Sequence, residues 1–147
     1  MGSGIFNSMN VSASGMTAQR TRMDIISQNI ANVNTTRDEN GDVYRRQTVV
    51  FQENSTAPFD RVLSNRLETY KANGVKISAI VEDTTEGSMV YDPSHPDADE
   101  NGYVMMPNVN TVTEMTNLID ASRSYEANAT AFNAAKSMAM KGLELFQ

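Results

Sequence analysis

Two stretches at opposite ends of the sequence repeat apolar residues every seven positions, and that pattern limits what the chain can become. Near the start, Met9, Met16, Met23 and Ile30 share the interval, with Phe6, Ala13 and Ile26 widening the stripe. Near the end, Leu118, Tyr125, Phe132, Ala139 and Phe146 follow it too, and Met115, Ser122, Ala129, Lys136 and Leu143 form a row three residues earlier. Seven residues is close to two helical turns, so each set returns to one face of a helix, and such a face needs a cover. Each stripe is the natural partner of the other. The expected fold is α+β, mainly α: long N- and C-terminal helices paired as a coiled-coil-like hairpin, with a small antiparallel β insertion between them.

The boundaries follow from local chemistry. The first helix is expected to begin between residues 5 and 12 and to run out near residues 32–34, where Asn, Thr and then Arg37-Asp38-Glu39-Asn40-Gly41 favour turns. Gly15 interrupts it at a cost of about 1 kcal/mol relative to Ala, either as a weak spot or because another chain segment comes close. Residues 42–52 (DVYRRQTVVFQ) and 74–83 (GVKISAIVED) alternate and are rich in β-branched side chains, which predicts two strands. Shorter strands are expected at 88–91 and 103–106, flanking a turn-rich segment with Pro93, Pro96 and Gly102. Residues 53–73 lack clear periodicity, a short helix over 61–70 being one option. Thr111 with Glu114 three residues on fits a capping box, after which a helix can extend from 112 to 145, about 50 Å at 1.5 Å per residue.

This gives a division into residues 5–36 and 110–147 as a terminal-helix unit and 37–109 as a β-rich middle with an acidic loop at 82–101. Glu82, Asp83, Glu86, Asp92, Asp97, Asp99 and Glu100 fall in that loop with no Lys or Arg, and the whole chain carries a formal charge of −6. Such a balance argues against a nucleic-acid partner, since phosphate neutralisation needs clustered cations. The absence of cysteine removes disulfides, thiolate zinc sites and a cysteine nucleophile. No apolar run approaches the ~20 residues of a membrane helix, so no membrane insertion is expected. The N-terminus also lacks the basic start and apolar core of a cleaved signal.

Catalysis finds little footing. His95, the only histidine, sits between Pro93 and Pro96 with no nucleophile motif, as a turn residue would. Asp97, Asp99, Asn101 and Gly102 reproduce the opening of a calcium loop, but its twelfth position, which should be a bidentate Glu, is Asn108. No enzyme activity, catalytic residue, metal ligand or cofactor is expected. The polar circumference of the last helix, with Asn117, Arg123, Asn128, Thr130 and Asn133 among many alanines, suits a helix covered on more than one face.

Residues 12–36, SASGMTAQRTRMDIISQNIANVNTT, resemble the N-terminal motif of bacterial flagellar axial proteins of the rod and hook, whose hallmark is the run Asn29-Ile30-Ala31-Asn32-Val33-Asn34-Thr35. More narrowly, Tyr44-Arg45-Arg46-Gln47, Val49-Val50-Phe51, residues 74–83, Val90-Tyr91-Asp92-Pro93, His95-Pro96-Asp97-Ala98-Asp99, Gly102-Tyr103-Val104, Met106-Pro107-Asn108-Val109 and Ala121-Ser122-Arg123-Ser124-Tyr125-Glu126-Ala127-Asn128 are similar to the proximal rod proteins of that family. The similarity covers the chain apart from residues 1–4 and about 54–73.

The resemblance implies a structural subunit of the basal-body rod, the drive shaft that crosses the periplasm and transmits torque. Terminal helices would line the tube, and the middle would face outward. It also implies export through the flagellar type III apparatus without a cleaved signal peptide. The partners would be other rod proteins, the rod-base adaptor and further copies of the chain. The contacts expected between subunits are Met9, Met16, Met23, Asn29, Ile30, Asn32, Asn34, Leu118, Arg123, Tyr125, Asn128, Phe132 and Phe146. For the three asparagines, a plain role in ending the helix stands beside that one. The alternative for the whole chain is a soluble coiled-coil adaptor or chaperone-like binding module.

Overall fold

The computed structural model describes residues 2–37, 41–54 and 73–144. The order is helix α1 (Gly2–Ala31), strands β1 (Gln47–Glu53), β2 (Val75–Glu82), β3 (Met89–Tyr91) and β4 (Tyr103–Met105), and helix α2 (Thr111–Glu144). The strands form two two-stranded sheets, β1 with β2 and β3 with β4. The described fold is therefore mainly helical with small antiparallel sheets between the helices. A helix over 61–70 and the position of Phe146 lie outside the described residues.

Helix α1 starts at Gly2, earlier than the expected 5–12, with no proline to stop it. Its end matches the asparagine-rich signal. The Asn32 side-chain amide donates to the Gln28 carbonyl (2.9 Å), its Oδ1 accepts from the Thr35 hydroxyl (3.1 Å), and residues 32–34 turn. Helix α2 is capped one residue before the expected place. Asn110 Oδ1 accepts from the Thr113 amide (3.1 Å) and the Asn110 carbonyl from the Glu114 amide (2.9 Å). The Thr111 capping box does not form, because an Asn cap satisfies the first turn and the Glu114 carboxylate is drawn inward instead.

Strand β1 begins at Gln47, not at residue 42. Before it, the backbone serves other partners: the Tyr44 amide donates to the Thr35 carbonyl (3.3 Å) and the Arg46 amide to Asn108 Oδ1 (2.8 Å). Strand β2 runs as expected. In the second sheet Met89 faces Met105, Val90 faces Val104 and Tyr91 faces Tyr103. The rings of Tyr91 and Tyr103 meet edge to face at 5.2 Å.

The chain groups into two compact units. One is built from Met1–Thr21, Phe51–Ser78 and Ala121–Gln147. In it the two helices run antiparallel, since Gly15 lies against Asn128 while Arg20, further along α1, bonds the earlier Tyr125 hydroxyl at 3.3 Å. The contact is tight: a Cβ on Gly15 would stand 2.7 Å from Asn128 Oδ1. Buried Ala18, Ala121 and Ala135 keep it so. Ser14 Oγ accepts from the Val75 amide (3.1 Å), tying the start of β2 to α1, and Gly74 leaves room for that hydroxyl.

The other unit comprises Arg22–Val50 and Ala79–Asp120, with Ile25, Ile26 and Val104 as its buried apolar residues. On α2 the burial differs from the expected seam. In the row of Met115 and Leu143 the large side chains point outward, at 55% and 71% exposed, while Ser122 and Ala129 are half-buried. The inward row is one residue earlier: Glu114, Ala121 and Ala135 are buried and Asn128 half-buried, beside half-buried Leu118, Tyr125, Phe132 and Ala139. Small residues win that position because they let a neighbouring segment come closer than Met or Leu allow.

Candidate functional site

In the second unit the interior is organised by polar groups. Among the described residues, Asn29 and Glu114 are the two largest side chains that are fully buried, and neither is placed there by hydrophobicity. Asn29 Nδ2 donates to the Gln47 carbonyl (2.8 Å) and to Glu114 Oε2 (2.9 Å), while its Oδ1 accepts from the Gln47 amide (2.9 Å) and the Tyr44 hydroxyl (2.9 Å). A carboxamide has two donors and two lone pairs, and all four are used. Its pairing with both backbone groups of Gln47 copies what a neighbouring strand would do, which pins α1 to the first residue of β1.

Glu114 receives its second charge-assisted bond from Arg46 Nε, 2.8 Å from Oε1. Arg46 Nη1 also lies 3.9 Å from Asp83 Oδ2, and its carbonyl accepts from the Asp83 amide (2.7 Å). Asn108 closes the set: its Nδ2 donates to the carbonyls of Asp83 and Thr85, both at 3.0 Å. A buried carboxylate is tolerated only when paired and bonded in this way.

The field of the site shifts its neighbours. Burial, then the nearby Glu114 and Glu82 carboxylates, push the Tyr44 phenol above its usual value, because each disfavours the phenolate. The Asp83 carboxyl is held below the usual range by bonds from the Thr85 hydroxyl and amide, with Arg46 adding to them.

Around the β3–β4 hairpin the calcium-like residues are engaged in building a turn. Asp97 is bonded by Thr36 Oγ1 and paired with Arg37, both at 2.8 Å. Asp99 Oδ1 accepts from the amides of Asn101 (2.9 Å) and Tyr103 (2.8 Å). Gly102, with φ +80°, has Tyr91 and Pro93 where a side chain would go. His95 Nδ1 accepts from the Asp97 amide (3.1 Å), so it too serves the turn. Among the described residues no three His, Cys, Asp or Glu side chains are grouped to hold a metal, and no helix is long and apolar enough to cross a membrane.

Comparison with known proteins agrees with this picture of a scaffold. Residues 9–37 match the family model described as flagella basal body rod protein, and residues 100–145 the model for the C-terminal part of flagellar basal body rod FlgEFG proteins. The chain is 48% identical to the flagellar basal-body rod protein FlgC of Bacillus subtilis, over 95% of this chain and 97% of that one. It is 43% identical to FlgC of Borreliella burgdorferi, over 98% and 99%, and 38% identical to FlgC of Salmonella typhimurium, over 97% and 98%. The chain belongs to the flagellar basal-body rod family. As a member of that family it is a structural rod subunit, not an enzyme.

For this rod subunit, the residues expected at contacts fall into distinct environments. Asn29 is fully buried with its amide committed inside the chain, and Asn32 ends α1. Asn34 and Arg123 are exposed. Met9, Met16, Met23, Ile30, Leu118, Tyr125, Asn128 and Phe132 are half-buried along the helices. Sequence reasoning passed over Tyr44 and Arg46, both half-buried, and buried Glu114 as an interacting set. One signal was available: Glu114 begins the heptad row completed by Ala121, Asn128 and Ala135, and a carboxylate in a row of small residues calls for a buried partner.

Proposed function

We propose that this rod subunit belongs to the proximal rod. Residues 5–36 and 110–147 form its axial core as a coiled-coil-like helical hairpin, and residues 37–109 face outward. Its neighbours are other rod proteins, the rod-base adaptor and further copies of itself, assembled head to tail in a helical array. It reaches the periplasm through the flagellar type III export apparatus without a cleaved signal, and in the rod it transmits torque.

The observation that carries this reading is the outer face of α2. Val112, Met115 and Ile119 are 74%, 55% and 54% exposed and recur at helical spacing, so an apolar stripe faces away from the buried row. Exposed Asn34 and Arg123 supply polar contacts to neighbours, and half-buried Met9, Met16, Met23, Ile30, Leu118, Tyr125, Asn128 and Phe132 support them from the seam. Phe146 belongs with the seam on its spacing alone. Asn29 acts from inside, by holding the shape of the surface.

The test is M115E/I119E in a strain lacking the chromosomal copy. The purified variant is expected to melt as the wild type does, because both side chains are exposed. Swimming should be lost, and electron microscopy of basal bodies should show no completed rods. Rods at wild-type number would overturn the assignment of this face.

A further inference from the structure

The carboxylates of the acidic segment divide by length. Every aspartate is engaged: Asp83 by Thr85, Asp92 by Ser94, Asp97 by Thr36 and Arg37, and Asp99 by the amides of Asn101 and Tyr103. Glu82 acts on the Tyr44 phenol. Glu86 and Glu100, both exposed, have no partner among the described residues. Glu86 lines a recess with Tyr44 and Met106. Glu100 instead stands exposed in the turn that joins β3 to β4.

The same unit holds an opposite arrangement. A cleft of about 230 Å³ has Ile25 and Ile26 among its walls, with Arg22, Arg46, Thr48 and Asn117 also lining it. Arg46 is committed to Glu114. Arg22 is half-buried and has no partner among the described residues. A partly desolvated guanidinium with five unused donors favours a planar carboxylate, which it can hold through two parallel bonds. Asn117 adds an amide whose bond to Glu114 is long, at 3.5 Å.

We propose that this cleft is the socket for the Glu100 carboxylate of a second copy of the chain, so that the hairpin of one subunit plugs into its neighbour beside Arg22. The proposal rests on the rod reading, which brings copies side by side. The argument is charge complementarity: one copy offers, in a walled cleft, a cation without a partner among the described residues, and the next offers such an anion in the exposed β3–β4 turn. Contacts of this kind set register and partner choice more than raw affinity.

Two experiments test it in assembled basal bodies. The chain contains no cysteine, so T48C/E100C reports without background once oxidised, and a disulfide requires Cα atoms within about 7 Å. A ladder of cross-linked copies is expected from the double variant, and monomer from either single one. In parallel, R22E and E100R should each leave about tenfold fewer intact rods, as loss of a charge-assisted pair at every interface predicts, and R22E/E100R should recover most of them. All three should melt as the wild type, since neither side chain has a partner among the described residues. No ladder and no recovery, with wild-type chain present in the rods, overturns the socket and leaves the rod role standing. A defect in R22E with E100R harmless overturns the second copy as occupant and assigns the socket to another rod protein's carboxylate. Absence of the wild-type chain from basal bodies overturns the rod reading itself.

Discussion

The two units hold their helices by opposite means. Around Gly15, Ala18, Ala121 and Ala135, the helices approach through small side chains, and contact is governed by shape. Around Asn29 and Glu114 the interior is polar, and contact is governed by the pairing of specific donors and acceptors. A small-residue seam accepts several registers at similar energy, because one alanine resembles the next. A saturated carboxamide and carboxylate accept one. The polar site therefore supplies the uniqueness that the seam lacks, as buried polar residues do when fully satisfied.

The largest expected effect comes from breaking the polar side. Glu114→Ala leaves the Asn29 amide and the Arg46 guanidinium without their shared acceptor. It should cost about 3 kcal/mol in urea denaturation, the low end for a broken buried pair because the Arg46 side chain keeps 24% of its exposure.

A smaller effect sharpens the other side. Gly15→Ala gains about 1 kcal/mol of helix propensity but sets a methyl 2.7 Å from Asn128 Oδ1. Asn128 yields reluctantly, since its Nδ2 is bonded to the Ser124 carbonyl at 2.8 Å. The net should be a loss of about 1 kcal/mol, overpacking exceeding propensity. In an Asn128→Ala background the same change should become a gain, and a double-mutant cycle in urea reads the difference.

The smallest effect is a pH dependence confined to the polar side. The Tyr44 phenol titrates higher in the folded chain than in the unfolded one. Its contribution is thus present below about pH 10, the unfolded value, and is lost as pH rises through the folded value. Thermal melts between pH 9 and 11 should fall less steeply for Tyr44→Phe than for the wild type, whereas Gly15→Ala should leave that slope unchanged.

Much of the fold was legible from periodicity. The interval of seven located both helices, alternation located β2 and the body of β1, and the turn-rich segment with Pro93, Pro96 and Gly102 located β3 and β4 on either side of it. What failed did so where tertiary partners override local preference. Residues 42–46 alternate like a strand, yet their backbone bonds go to Thr35, Asn108 and Asp83, a competition that no local pattern reveals. The Met115 row looked like the seam because hydrophobicity favours Met and Leu, while close helix approach favours the Glu114, Ala121, Asn128 and Ala135 row. Thr111 and Asn110 are both good caps, and Glu114 was decisive: engaged by Asn29 and Arg46, it was unavailable for the capping box. Asn29 stood out in the sequence as a motif residue, but its three partners, Tyr44, Gln47 and Glu114, come from segments that only the folded chain assembles.

The bond between Asn29 and Glu114 also says something about time. The two residues are 85 positions apart, and closing a loop of that length costs about 4 kcal/mol of chain entropy before any contact repays it. The β3–β4 hairpin and the individual helical turns close far shorter loops and can form first. An unfolded chain therefore reaches its local structure early and ties residue 29 to residue 114 only afterwards, while the bond from Arg20 to Tyr125, 105 positions apart, closes a longer loop still. Until residues 29 and 114 meet, the chain has its helices and hairpin but lacks the polar site that selects one arrangement of them.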